Sequence, residues 1–235
     1  MLESVKVNSK KLNVTAAELQ KALHNKELKR VYREGKELYF NFGEHTLALH
    51  LMLHGKLYLS DEKNEQKYTI IELCFKGGTS LALTDWQGAA TPTLNPKAKE
   101  APDALADTVT TEWWAGKLTK KKSTVKNLLL DQKFIRGIGN AYADEILYDS
   151  MISPFSISNK IPEQSVLKLA KSVKKVLENA QKQIQKFRPN IISGEFRDFL
   201  NVHQPGKKET PNGEKILVEN GTRKTYYVAE QEVFK

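Results

Sequence analysis

Residues 120–155 read KKKSTVKNLLLDQKFIRGIGNAYADEILYDSMISPF, and the fold turns on how this stretch is understood. A basic, apolar segment runs into Arg136-Gly137-Ile138-Gly139-Asn140. A second helical pattern then sets Ala141, Ile146 and Leu147 on one side and Asp144 and Glu145 on another. The spacing predicts two helices joined by a glycine turn. Glycine at 137 and 139 lets the backbone turn tightly and approach another surface, and Asn140 stands where an N-cap is expected. The positive end of the second helix is then an anion site. No strand precedes this turn and a third glycine is absent, which excludes a dinucleotide-binding fingerprint.

Downstream, VLKLAKSVKKVLENAQKQIQKF repeats apolar residues at steps of three or four (Val166, Leu169, Val173, Val176, Ala180, Ile184, Phe187), with lysines mostly elsewhere around the wheel. It predicts an amphipathic helix with a basic outer face. KILVEN and RKTYYVAEQEVF flank Asn220-Gly221, the signal of a hairpin with a two-residue loop.

Upstream, apolar or alternating runs at 37–42, 46–53, 56–60, 68–75 and 79–85 are separated by turn-forming GE, HG, SDEKNE and KGG, which predicts a β-sandwich. Thr15, with Glu18 three residues on, predicts a capping box at the start of AAELQKAL. The stretch 89–111, broken by Pro92, Pro96 and Pro102, reads as a connection. The chain is therefore expected to be α+β: an N-terminal β-sandwich domain over 1–111, a helical domain over 112–200, and a C-terminal β-hairpin over 201–235.

Among 235 residues, 37 Lys and Arg against 28 Asp and Glu leave a net charge of +9, which implies an acidic partner, nucleic acid first. The single cysteine, Cys74, excludes an internal disulfide and a zinc site built from several thiolates. No apolar run of membrane-spanning length appears and the N-terminus lacks a secretory core, so no membrane association and a cytoplasmic location are expected. Asp131, Asp144, Glu145 and Asp149 cluster around the glycine turn, but such helical carboxylates read as caps or solvated faces rather than metal ligands. No metal and no cofactor is expected.

The 27 residues LLLDQKFIRGIGNAYADEILYDSMISP closely resemble the helix-two-turn-helix motif of the formamidopyrimidine-DNA glycosylase and endonuclease VIII family. That motif reads L-[LM]-D-[NQ]-x-x-[VI]-x-G-[VI]-G-N-x-Y-x-x-E-x-L-[FY]-x-[AS]-x-I-x-P. RVYREGKELYFNF and TLALHLMLHGKLYL are similar to the family's strand pair, LALTDWQG to its T-D-x-R-R-F-G strand, and RKTYYV to the hairpin of its finger. The resemblance implies double-stranded DNA, damaged or abasic, as partner. It implies that Lys126, Gly139, Asn140 and Arg223 grip phosphates around an extruded nucleotide, and that Lys36 and His50 bind the flanking backbone. Leu53 stands where the family has an intercalating methionine, and Trp86 where it fills the space opposite the lesion, although a lone tryptophan beside a strand is expected to pack into a core.

Three departures bear on activity. The family begins Met-Pro-Glu and uses the proline amine as nucleophile, whereas this chain begins Met1-Leu2-Glu3. One alignment keeps Glu3 and replaces only the proline; the preferred one sets MLESVKVNSKKL against the family's first long strand. Met1, Glu3 and Lys36 are the catalytic candidates, none of them secure. The four zinc cysteines of the family's finger have no counterpart, so Ile216, Val218, Tyr226 and Val228 are expected to hold a zincless finger by packing. The expectation is a base-excision-repair DNA-binding protein with catalysis weak or lost. The alternatives are an active glycosylase and AP lyase using the amine of Met1 or a lysine, and a damage-independent DNA-bending protein.

Overall fold

The computed structural model describes residues 1–8, 12, 14–61 and 63–235. Two compact units make up the chain: Met1–Ala98 with Asn190–Glu195, and Lys99–Pro189 with Phe196–Lys235.

Among the described residues the first unit contains eight strands and one helix: β1 (Leu2–Val7), α1 (Ala16–Leu23), β2 (Arg30–Glu34), β3 (Glu37–Asn41), β4 (Thr46–His50), β5 (Lys56–Ser60), β6 (Thr69–Phe75), β7 (Ser80–Thr84) and β8 (Thr91–Leu94). They form two antiparallel sheets, ordered β1-β6-β7-β5 and β2-β3-β4-β8. Leu2, Leu57, Ile71, Leu73 and Leu83 from one sheet share a core with Phe40, Leu47 and Leu49 from the other and with Leu19 and Leu23 of α1. This is the predicted sandwich, with the helix packed against it by the two leucines of its apolar face.

The Thr15 capping box forms as expected: the Thr15 hydroxyl accepts from the Glu18 amide, and the Glu18 carboxylate accepts from the Thr15 amide at 2.7 Å. The Thr15 amide, together with the Thr15 hydroxyl donating to the same carboxylate at 2.8 Å, holds the Glu18 carboxyl below its usual range. The run 46–53 is strand only to His50, because residues 52–54 turn. The stretch 89–111 is not simply a connection: Thr91–Leu94 pairs with β4 as an edge strand, where Pro92 has no inward N–H to supply, and Thr111 opens the next helix.

The second unit contains α2 (Thr111–Leu118), α3 (Val125–Leu130), α4 (Asn140–Asp149), a short 3₁₀ turn (Ser158–Lys160), α5 (Glu163–Phe187), β9 (Ile216–Glu219) and β10 (Thr225–Val228). Its core gathers Trp114, Leu118, Val125, Leu129, Ile135, Ile138, Ile146, Leu147, Val166, Leu169 and Val173. The amphipathic reading of α5 holds over its first five turns, where Val166, Leu169, Val173 and Ala180 are buried; Phe187 at its end is exposed.

β9 and β10 form the predicted hairpin, but Glu219 pairs with Thr225, so the loop is 220–224 rather than the two residues Asn220-Gly221. A type I′ turn needs positive φ at both central residues, and neither has it. The hairpin is packed by Ile216, Tyr226 and Val228 against Tyr148 and Val202. Val218, expected in that packing, is instead exposed: it shares the face of Ile216, two residues before it, but lies nearer the hairpin loop and outside the cluster around Tyr148.

Candidate functional site

The glycine turn of the second unit is built by its own polar side chains. Thr124 caps α3, and the helix ends at Asp131, whose Oδ1 accepts from the Lys133 amide at 2.9 Å and whose carbonyl accepts from the Phe134 and Ile135 amides. Gln132 spans the turn: its Oε1 accepts from the Gly137 amide at 3.0 Å, and its Nε2 donates to the carbonyls of Leu130 and Ile138, both at 3.0 Å. Gly137 takes φ +104, a region that L side chains avoid. Arg136 is buried and its Nε donates to the Ala101 carbonyl at 2.6 Å, so this arginine braces the fold.

Gly139, not Asn140, is the N-cap of α4; Asn140 is the first helical residue. Its side chain does not reach back to the helix amides. Its Nδ2 donates instead to the carbonyl of Lys224 in the β9–β10 loop at 2.9 Å, and its Oδ1 is buried with no protein partner.

Lys126 of α3 converges on the same loop. Its Nζ donates to the Lys224 carbonyl at 3.1 Å, to Thr225 Oγ1 at 2.8 Å, and pairs with Asp144 Oδ1 at 2.8 Å. An ammonium has three N–H donors, so protein atoms take up all of them. Burial lowers the Lys126 pKa, the Asp144 charge opposes that shift, and the nearby Arg223 charge adds to the lowering. Arg223 itself is exposed in the loop, one residue before the doubly bonded carbonyl.

Asp144 and Glu145 are neither caps nor solvated. Both are buried on α4, which corrects the sequence expectation. Asp144 Oδ2 lies 2.7 Å from His203 Nδ1 and accepts from the Tyr226 amide at 3.0 Å. Glu145 accepts four hydrogen bonds of 2.8–3.0 Å, from the amides of Asn201, Val202 and His203 and from Asn201 Nδ2. The two carboxylates therefore fasten the returning chain and the hairpin to the helix that carries Asn140. The signal for this was the composition of α4, where Ala141, Ala143, Ile146, Leu147 and Tyr148 surround the acids and leave little of the helix for solvent. His203 and Gln132 carried no signal that singled them out.

The other candidates belong to the first unit. Lys36 is exposed in the two-residue loop between β2 and β3, after Gly35 at φ +62. His50 ends β4 opposite Glu37, and its Nδ1 accepts from the Met52 amide at 2.9 Å. The register thus places Lys36 and His50 at one end of their sheet. Leu53 is 82% exposed in the turn that follows. Trp86 is exposed as well, contrary to the expectation that it packs into a core, and its ring lies 5.0 Å from that of His54.

Of the catalytic candidates, Met1 is exposed and precedes β1 directly, with its carbonyl accepting from the Lys76 amide. Leu2 is fully buried, and the carbonyl of exposed Glu3 is bonded by His24 Nδ1 and Gln20 Nε2. Among the described residues no group of three or more His, Cys, Asp or Glu side chains is placed to hold a metal, and no helix is long and apolar enough to cross a membrane.

Comparison with known proteins agrees with the motif. The formamidopyrimidine-DNA glycosylase N-terminal domain matches residues 1–91, and the formamidopyrimidine-DNA glycosylase H2TH domain matches residues 101–187. Formamidopyrimidine-DNA glycosylase of Ligilactobacillus salivarius is 33% identical over 172 residues, covering 68% of this chain and 62% of that protein. That of Pelotomaculum thermopropionicum is 29% identical over 229 residues, covering 90% and 83%. The chain thus spans under two thirds of the first relative and most of the second. In fold it is similar to the Lactococcus lactis protein solved with an abasic-site-containing DNA, at a TM-score of 0.85 and 24% identity over 97% of this chain and 90% of that one. A Lactococcus lactis variant solved with a Fapy-dG-containing DNA gives 0.84 and 25% over 96% and 89%. With both of the family's domains matched in succession, and the glycine turn between α3 and α4 formed as its motif demands, the chain belongs to the formamidopyrimidine-DNA glycosylase family.

Proposed function

We propose that this protein binds double-stranded DNA carrying a damaged or missing base, and that its own base-excision chemistry is weak or lost. The observation that carries the binding reading is the double anchoring of the Lys224 carbonyl by Asn140 and Lys126. It holds the N-terminus of α4, a concentration of positive helix dipole, beside the exposed guanidinium of Arg223. Backbone amides at a helix start and a planar forked cation suit a phosphate that a kinked strand turns outward.

In this reading Asn140 and Arg223 meet phosphates, Gly139 lets the strand come close, and Lys126 acts from beneath through its charge and its grip on the loop. Lys36 and His50 bind backbone phosphates from the first unit, and Leu53 inserts between bases. The net charge of +9 supplies the salt-dependent part of the affinity. The named DNA complexes of the Lactococcus lactis relatives support this partner by likeness of fold.

The reduced-activity reading rests on position 2. In the alignment that keeps Glu3, Leu2 stands where the family has its proline; here its side chain is buried, and its backbone N–H and C=O are bonded to Lys26 and Asn25. A nucleophile needs freedom to reach the sugar, and this residue is locked into a sheet edge. The competing reading is an active lyase working through Met1 or Lys36. Borohydride trapping on duplexes bearing an abasic site, an oxidised purine or an oxidised pyrimidine separates them. No covalent adduct beside measurable binding is the expected result, and an adduct abolished by Lys36→Ala or by blocking the Met1 amine establishes the other. Equal affinity for intact and abasic duplexes at matched salt establishes instead a general DNA-bending protein.

A further inference from the structure

The outer side of α5 is a row of lysines. Val166, Leu169 and Val173 are buried in the core that the helix shares with α2 and α4, and the rest of its surface carries Lys168, Lys171, Lys174, Lys175, Lys182 and Lys186. Six lysines against the two glutamates Glu163 and Glu178 put four of the chain's nine excess positive charges on this one helix. A helix that has only to stay in water is steadied by an acid three or four residues from each lysine. Here Lys168 has Lys171 at that spacing, Lys171 has Lys174 and Lys175, and Lys182 has Lys186, so like charges line up along the face and work against the helix. Glu178, between Lys174 and Lys182, is the one acid inside the row.

Among the described residues Lys175 alone of the six has an ion pair, to Asp149 at 2.6 Å, and that pair fixes where the row lies. Asp149 is the last residue of α4 and Asn140 its first, so Lys175 borders the end of α4 away from the phosphate clamp, roughly 14 Å along the helix axis. From Lys168 to Lys186 the row runs about 27 Å, most of one duplex turn. Exposed Asn179, Gln181 and Gln185 stand among the lysines and add N–H donors of the kind phosphate oxygens accept. An anionic membrane surface also attracts lysine, but an interfacial helix must sink its apolar face, and that of α5 is spent in the core.

We propose that the outer face of α5 is a second DNA-backbone site, indifferent to sequence and to damage, which lets one molecule take hold of a second duplex segment while the first is still in the clamp. The partner is named on the strength of the DNA-binding reading above. Lysines are point charges on flexible stems and release counterions wherever a row of phosphates passes, so such a face grips without reading bases. Its consequence is kinetic. A protein held at two points steps from one segment to another without first passing through free solution.

The test compares the full-length wild type with a triple variant, Lys168→Gln, Lys171→Gln and Lys182→Gln. All three side chains are exposed and make no ion pair among the described residues, and glutamine is about as good a helix former as lysine. With the like-charge repulsion relieved, the variant should unfold at or above the wild-type midpoint, which checks that it is folded. A labelled duplex carrying one tetrahydrofuran abasic analogue is bound first, and its dissociation is followed as unlabelled intact duplex is added over a concentration series at fixed salt. The wild-type dissociation rate is expected to climb with competitor, because the second segment is captured before the first leaves. In the variant that climb is expected to be lost, with the affinity for the labelled duplex alone unchanged. A wild-type rate that ignores competitor, a variant rate that still climbs, or a variant that loses affinity for the labelled duplex overturns the inference and leaves the DNA reading standing. A flat wild-type rate together with capture of phosphatidylserine vesicles, lost in the variant, assigns the face to a membrane instead. A wild-type protein that binds neither duplex overturns both readings.

Discussion

Asn140 and Lys224 are joined by a 2.9 Å hydrogen bond, with the asparagine amide donating to the backbone carbonyl of the hairpin loop. The bond joins the start of α4 to a segment 84 residues away in sequence. It also settles what the asparagine does within the fold: Gly139 serves as the cap, which releases the Asn140 side chain to fix the loop that presents Arg223.

Two variants separate positioning from charge. Arg223→Ala removes an exposed cation without touching the fold, so it is expected to weaken duplex binding by about 1–3 kcal/mol and to reduce the salt dependence by roughly one counterion. Asn140→Ala is expected to cost a similar amount with the salt slope less affected, because it loosens the loop rather than removing a charge. Affinities measured over a salt series check both, and unchanged affinity in both contradicts the assigned roles.

Lys126 and Asp144 form a buried pair with His203 on the other carboxylate oxygen. Removing one partner leaves an uncompensated buried charge, so Asp144→Leu is expected to destabilise the protein by about 3–5 kcal/mol in denaturant unfolding. Lys126→Met together with Asp144→Leu is expected to cost less than Asp144→Leu alone, since the charges then leave together. A double variant as unstable as the sum of the two singles refutes this coupling.

Much of the fold was legible in the sequence because local chemistry and tertiary packing agreed. Four of the five runs became strands within a residue of their expected limits, the fifth stopping three residues early at His50, and Thr15 with Glu18 made the capping box their spacing promised. The glycine turn was legible for the same reason. What could not be read was the long-range use of polar groups. The apolar composition of α4 signals that Asp144 is covered, but nothing local names Lys126, His203 and the Tyr226 amide as its partners, because they come from α3 and from the segment beyond residue 200. The hairpin loop failed for a related reason: Asn-Gly favours a two-residue turn, but the bonds of Asn140 and Lys126 to Lys224 hold that residue outside the ladder. Trp86 was misplaced because its exposure is set by the Asp85 turn, not by hydropathy.

Asp85 gives a pH signature. Burial pushes its carboxyl up, but the amides of Gln87, Ala90 and Ala89 outweigh that and hold the pKa below the ordinary carboxylate range. A carboxyl with a lowered folded pKa stabilises fully above its unfolded value, about pH 4, and loses that contribution as the pH falls through the folded value. Asp85→Ala is therefore expected to be less stable than wild type by about 1–3 kcal/mol near neutrality, with the difference shrinking below about pH 4. A gap that stays constant from pH 7 to pH 3 contradicts this.

Glu145 offers the sharpest separation between a structural and a solvated acid. Its carboxylate is filled by four N–H donors from Asn201, Val202 and His203. In Glu145→Gln one oxygen becomes an amide nitrogen, which donates and cannot accept, so the donors facing it lose their partner inside the fold. Each unsatisfied buried group costs about 1–3 kcal/mol, and the loop that aims His203 at Asp144 is loosened as well. Glu178, exposed on α5, has no such set, and Glu178→Gln is expected to leave stability unchanged. The same substitution at two helical glutamates should thus give a loss of about 2–5 kcal/mol at one and nothing at the other. Hydrogen exchange adds the location: in Glu145→Gln the amides of residues 201–203 are expected to lose protection before those of α5. Uniform loss across the unit contradicts a local anchoring role for this carboxylate.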